Sequence, residues 1–199
     1  MEDTKFMAKV VYIIPGYQHT TSLKSYREVA RYFKLRNYQV ELLKINWARR
    51  AMSDYVAEAT EQVARHKKND VICLFGFSFG AFIALNLAEK IIPKYLILGS
   101  LSPFFKEDLS YLKKIWKEFW GKRRIKDFEN FSFNKIVKKV KFNKTYLLGG
   151  GDESPELKRR LKEAVKKIKN SKLYYADQVG HDLGHKNYLK LVKAIVSTI

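Results

Sequence analysis

Two kinds of apolar patterning alternate along the chain: short apolar-rich runs, most of them closed by glycine or proline, and longer stretches with apolar positions every three or four residues. The runs at Lys9 to Ile14 (KVVYII), Tyr38 to Ile45, Asp70 to Gly76 (DVICLFG), Lys94 to Gly99 (KYLILG), Thr145 to Gly149 (TYLLG) and Lys172 to Ala176 (KLYYA) predict six strands. The unbroken apolar character of DVICLFG suits a strand of a parallel sheet covered by helices on both faces. The helical period predicts helices over Ser22 to Arg36 with Ser22 as cap, Ser53 to about His66 with Ser53 as cap, Phe79 to Ile91, Pro155 to Lys169 and Asn187 to Thr198.

Strand and helix in alternation argue an α/β fold: a mostly parallel six-stranded sheet with helices on both faces, joined by right-handed crossovers. One stretch departs from the rhythm. Between Ser102 and Lys144 no strand is predicted, and Asp108 to Trp120 reads as an amphipathic helix with Leu109, Leu112, Ile115, Trp116, Phe119 and Trp120 on one apolar face. This insertion, about residues 103 to 140, leaves from the end of a strand, where open α/β sheets place ligands. A cap over a site is therefore expected, with an ordinary packed helix as the plainer alternative.

The chain has 199 residues and is 46% apolar, enough for one core, so a single domain over residues 1 to 199 is expected. No run approaches the roughly 20 apolar residues of a spanning helix, and the opening MEDTKFMAKVVYII lacks the parts of an export signal. The single cysteine, Cys73, cannot form an internal disulfide. A soluble protein of the reducing cytoplasm is the expectation.

The net charge of +19 raises nucleic acid or an anionic membrane as a partner. Its distribution argues otherwise: residues 106 to 144 carry 13 basic and 5 acidic side chains and residues 153 to 172 carry 8 and 3, on the polar faces of predicted helices. No zinc-finger spacing and no aromatic RNA-binding strand accompanies them. Nucleic acid is disfavoured as a partner, and contact of the basic helices with an anionic substrate or surface stays open.

Gly76-Phe77-Ser78-Phe79-Gly80 lies between a predicted strand and helix. A serine there sits on a sharp turn whose flanking glycines remove the Cβ atoms that would collide, the arrangement of a nucleophile elbow; the plain alternative is a turn whose serine caps the helix. A nucleophilic serine needs a base, and the base a carboxylate. Asp152 follows a strand in GGGDES and His181 follows another in VGHDLGH. His185, four residues on, is the rival base; Glu153, Asp177 and Asp182 are rival acids. Ser78, Asp152 and His181 are expected to form the catalytic set.

The order Ser78, Asp152, His181, each just beyond a strand and with the serine in GxSxG, resembles an α/β-hydrolase-fold serine hydrolase, of a minimal, carboxylesterase-like kind without the early antiparallel strands. The resemblance implies an oxyanion hole built from the backbone N–H groups of Tyr17, after Pro15-Gly16, and Phe79. The expected lining is apolar: Tyr17, Phe77, Phe79, Trp116, Phe119 and Trp120. With no P-loop, no GxGxxG after the first strand, no HExxH and no paired cysteines, no cofactor or metal is expected. The expected activity is hydrolysis of short-chain carboxylic esters, a small-molecule substrate. Lysophospholipase or thioesterase activity using the basic surface, and a non-catalytic scaffold binding nucleic acid, are the alternatives.

Overall fold

A computed structural model describes residues 8–48, 50–63 and 71–199. His66 and the first residue of the predicted third strand, Asp70, lie outside them. Six strands, β1 (Lys9–Ile14), β2 (Gln39–Leu42), β3 (Val71–Phe77), β4 (Tyr95–Gly99), β5 (Lys144–Gly150) and β6 (Ser171–Ala176), form one sheet in the order β2-β1-β3-β4-β5-β6. All five pairings are parallel.

Side chains alternate across the strands, so β1 and β3 to β6 feed two cores, while β2 at the sheet edge packs only Val40 against one of them. Val10, Tyr12, Ile14 and Leu74 face one side, with α2 (Met52–Val63), α3 (Phe79–Leu87) and α6 (Pro155–Lys167). Val11, Ile13, Cys73, Phe75 and Phe77 face the other, with α1 (Lys24–Lys34) and α7 (Lys186–Val196). Eight of the nine residues of α3 are buried, which is why its sequence is apolar all round.

The chain leaves β1 toward one edge of the sheet and leaves β3 toward the other, so a crevice opens between the carboxyl ends of these two strands. The register pairs Ile14 with Gly76, which sets Pro15-Gly16 beside Phe77-Ser78.

Two expected helix caps are replaced. Ser22 Oγ bonds Thr20 Oγ1 (2.6 Å), and α1 starts after Leu23 without a side-chain cap. Ser53 lies inside α2 and donates from N and Oγ to Asp127, while Asp54 accepts the N–H of Ala51 (2.8 Å). The insertion is more broken than the single helix expected. A 3-10 helix covers Lys106–Tyr111, Leu112 and Lys113 are extended, α4 (Lys114–Phe128) is interrupted at Gly121 (φ 71°), and α5 is Phe133–Lys139. Of the six positions assigned to one apolar face, Leu112 and Trp120 are buried, whereas Ile115, Trp116 and Phe119 are exposed.

The base of the insertion is held by a buried ion pair. Asp108 accepts from Arg160 and from Arg159 Nη2 (2.9 Å) on α6, with Asp108 and Arg160 both buried. Glu107 caps α5, accepting from Ser132 Oγ and from the N–H groups of Phe133 (2.9 Å) and Asn134 (3.1 Å).

Candidate active site

Ser78 occupies the turn from β3 into α3 with φ 57° and ψ −119°, a conformation side chains rarely adopt and one that costs of order 1–3 kcal/mol unless its surroundings enforce it. The glycines are what enforce it. A Cβ on Gly76 would lie 2.2 Å from the Gly80 carbonyl oxygen, and one on Gly80 would lie 2.1 Å from that of Ile14. Backbone therefore presses on backbone, and Ser78 projects at the start of α3, where the helix dipole favours negative charge.

Ser78 Oγ lies 2.9 Å from His181 Nε2, and His181 Nδ1 lies 3.2 Å from Glu153 Oε1. The carboxylate against the histidine is thus Glu153; the expectation of Asp152 is corrected. Glu153 N–H closes a turn onto the Gly150 carbonyl (3.3 Å), and Asp152 N–H donates to Val179 (2.8 Å). This turn buries the side chain of residue 153 and leaves that of 152 exposed at the cavity edge. Gly150 lets the two loops meet, since a Cβ there would stand 2.3 Å from the Val179 carbonyl oxygen. His185 is elsewhere engaged, its Nδ1 accepting the N–H of Asn187 (3.3 Å) as the cap of α7.

Glu153 is held from beneath by residues the sequence did not single out. Ser100, in positive-φ backbone just after β4, donates to Glu153 Oε1. Its Oγ is 2.8 Å from the hydroxyl of Tyr188, which also reaches the Leu148 carbonyl (3.3 Å). Burial first, and the nearby Glu153 second, push the Tyr188 phenol well above its ordinary pKa, so it stays a neutral donor. Ser102, buried after the same strand, places Oγ 3.3 Å from Ser78 Oγ. A serine directly after a strand was the available signal for both, but nothing in the pattern separates them from ordinary loop serines.

The turn after β1 carries a second arrangement. Tyr26 Oη, buried on α1, accepts the N–H of Gly16 (2.8 Å) and lies 3.0 Å from His19 Nδ1. Burial, then the neighbouring His181, lower the pKa of His19, with Asp182 opposing. A neutral His19 completes the proton inventory: the Tyr26 hydroxyl accepts from Gly16 and donates to Nδ1. Trp47 Nε1 donates to the His19 carbonyl (3.0 Å). This braced turn sets Gly16 against Ser78, the distance from an added Cβ to the serine Cβ being 3.3 Å. Within the described residues no acceptor meets the backbone N–H of Tyr17 or of Phe79.

A cavity of about 320 Å³ opens in front of Ser78 and His181, lined chiefly by Tyr17, Phe79, Phe104, Leu112, Trp116 and Trp120. Tyr17, Phe79, Trp116 and Trp120 stand where the sequence predicted. Phe77 and Phe119 do not. Phe77 points to the opposite face of the sheet, with its ring centroid 4.9 Å from that of His181, because strand neighbours alternate. Phe119 faces solvent beyond Trp120. Among the described residues no group of three or more His, Cys, Asp or Glu could hold a metal ion.

No family model matches the sequence, and no curated protein matches it. Solved structures do. Est1E from Butyrivibrio proteoclasticus superposes with a TM-score of 0.80 over 99% of this chain and 88% of its own, at 14% identity, and a further structure of it has ferulic acid bound. The alpha/beta hydrolase domain-containing protein 10 from mouse gives a TM-score of 0.78 over 95% and 88% at 14% identity. A putative hydrolase from Agrobacterium vitis gives 0.80 over 96% and 87%, also at 14%. The chain has the α/β-hydrolase fold.

Proposed function

We propose that the protein is a serine hydrolase that cleaves carboxylic esters with compact acyl groups through an acyl-enzyme intermediate. The observation that carries this reading is the continuous chain from Ser78 Oγ through His181 to Glu153 Oε1 at one end of an apolar cavity. His181 Nε2 takes the proton of Ser78 as Oγ bonds to the ester carbonyl carbon, and Glu153 fixes the Nδ1–H tautomer and stabilises the imidazolium. The oxyanion falls between the backbone N–H groups of Tyr17 and Phe79, donors whose loss typically costs about 100- to 1,000-fold in rate. Collapse breaks the C–O bond, and His181 returns the proton to the departing alcohol. Water then adds to the acyl-enzyme by the same route, releasing the acid and restoring Ser78.

At about 320 Å³ the cavity is at the small end of ligand pockets, which run to roughly 1,000 Å³. Segment 103–140 acts as its cap, contributing Phe104, Leu112, Trp116 and Trp120. A short alkyl chain fits this volume and gives a maximum in kcat/KM at about two to six carbons, since each further methylene adds about 0.8 kcal/mol only while it is buried. The aromatic lining, and the ferulic acid held by Est1E, favour aryl acyl groups as a second reading within the same class. The buried, unpaired Cys73 fits residence in a reducing cytoplasm.

The test is kcat/KM across p-nitrophenyl esters from acetate to decanoate, with methyl ferulate alongside. A maximum at short chains or at the aryl ester supports the reading. A steady rise to decanoate would favour the lysophospholipase alternative, and preference for acyl thioesters over the matched oxygen esters a thioesterase.

A further inference from the structure

The outer side of the insertion leaves apolar surface uncovered. Eight large apolar side chains are exposed among the described residues, and four stand within nine positions: Tyr111 (62%), Ile115 (68%), Trp116 (46%) and Phe119 (58%). Three of them belong to the first half of α4, which Gly121 separates from the second. Trp120 anchors that half from within, against Tyr17 (4.8 Å between centroids) and Phe79 (5.0 Å). Trp116 is shared, lining the cavity and standing in the exposed patch.

The charges around the patch are predominantly basic. Residues 111–124 hold Lys113, Lys114, Lys117, Lys122, Arg123 and Arg124 against the single acid Glu118. Glu118 lies 3.7 Å from Lys114 in an exposed pair that holds its lysine weakly, and Glu156, half-buried on α6, lies 3.5 Å from the exposed Lys113. A second copy of the chain seated here about a two-fold axis would bring basic rim onto basic rim. An anionic lipid surface instead takes the aromatic and aliphatic tips into its headgroup region while the lysines extend to the phosphates, the division of labour of interfacial helices.

We infer that the exposed face of residues 111–119 docks the protein onto anionic lipid bilayers, setting the cavity mouth at the membrane surface. Docking requires only this face, so it is separable from the chemistry at Ser78. The lipid headgroup charge selects the membrane, and the cavity draws esters that partition into it.

The experiment is co-sedimentation of the full chain with sucrose-loaded vesicles of phosphatidylcholine alone or with 30% phosphatidylserine. It is read for the parent, S78A, I115S/F119S and K114Q/K117Q, with melting temperature and gel-filtration volume recorded for each. The parent and S78A are expected to bind the anionic vesicles equally and the neutral ones weakly, with binding falling at 0.5 M salt. K114Q/K117Q loses about fivefold per lysine, the contribution of one near-surface basic residue, and I115S/F119S loses binding while keeping ester turnover and stability. Equal binding to both vesicles, undiminished anionic binding by I115S/F119S, or a concentration-dependent dimer abolished by I115S/F119S would overturn the inference. An S78A variant that still hydrolysed esters while binding the vesicles would sink the serine-hydrolase reading and leave docking intact, so the two readings fail separately.

Discussion

Oε1 of Glu153 lies 3.2 Å from Nδ1 of His181, so the carboxylate beneath the histidine comes from the second acid of the GGGDES turn. Glu153→Gln is expected to lower kcat by about 10,000-fold, because an amide favours the wrong histidine tautomer and cannot balance the imidazolium. Asp152→Asn should stay close to the parent rate. The pair of variants, assayed on one p-nitrophenyl ester at constant pH, checks the assignment; an inactive Asp152→Asn beside an active Glu153→Gln would reverse it.

Tyr26→Phe removes the oxygen that accepts from Gly16 N–H and contacts His19, while keeping the ring in its buried site. The turn that carries Tyr17 then loses its brace. The expected outcome is a fall in kcat of about 10- to 100-fold with KM little changed, the mark of a donor misplaced in the transition state. A change in KM alone would place the role of Tyr26 in binding.

Glu107 supplies a pH dependence of stability. Burial raises its pKa, but the bonds from Ser132, Asn134 and Phe133 more than offset this and leave it below the ordinary 4.5. The folded value is the lower of the two, so the contribution is fully present above about pH 4.5 and is lost as pH falls through the folded value. Denaturant titrations at pH 7 and pH 3.5 should show Glu107→Gln less stable at the higher pH and closer to the parent at the lower. An equal deficit at both would show that the carboxylate charge is irrelevant there.

Removing Asp108 leaves Arg160 buried without its partner, the circumstance in which breaking an internal ion pair typically costs about 3–5 kcal/mol. Asp108→Ala is expected to lose stability on that scale in urea unfolding. Replacing the pair together, Asp108→Leu with Arg160→Met, should recover much of it. A double variant as unstable as the single one would mean that the lost packing of Arg160 against Phe133 and Phe105, not the charge, sets the cost.

The inner strands were legible because buried parallel strands announce themselves as continuous apolar runs, and Ser78 because only glycine at 76 and 80 permits the backbone approaches found there. His181 in its glycine-flanked turn was equally visible. What failed was direction. Whether residue 152 or 153 points inward depends on how the Gly150 turn closes onto the Val179 loop, a long-range contact that no local pattern encodes. The insertion failed for a related reason: its apolar positions fit one helical face, but Lys113 and Gly121 break the helix and turn Ile115, Trp116 and Phe119 outward. Ser100 and Tyr188 acquire their roles only when α7 packs beneath β4 and β5.

The most direct test of the central claim is covalent. The protein is treated with a fluorophosphonate probe and the adduct located by mass spectrometry of the digested chain, with Ser78→Ala and His181→Ala in parallel. One adduct on Ser78 is expected, absent in Ser78→Ala and strongly slowed in His181→Ala, since Nε2 lies 2.9 Å from Ser78 Oγ, within reach of its proton. An unlabelled parent protein, or an adduct on another serine such as Ser102 that persists in Ser78→Ala, would contradict the account.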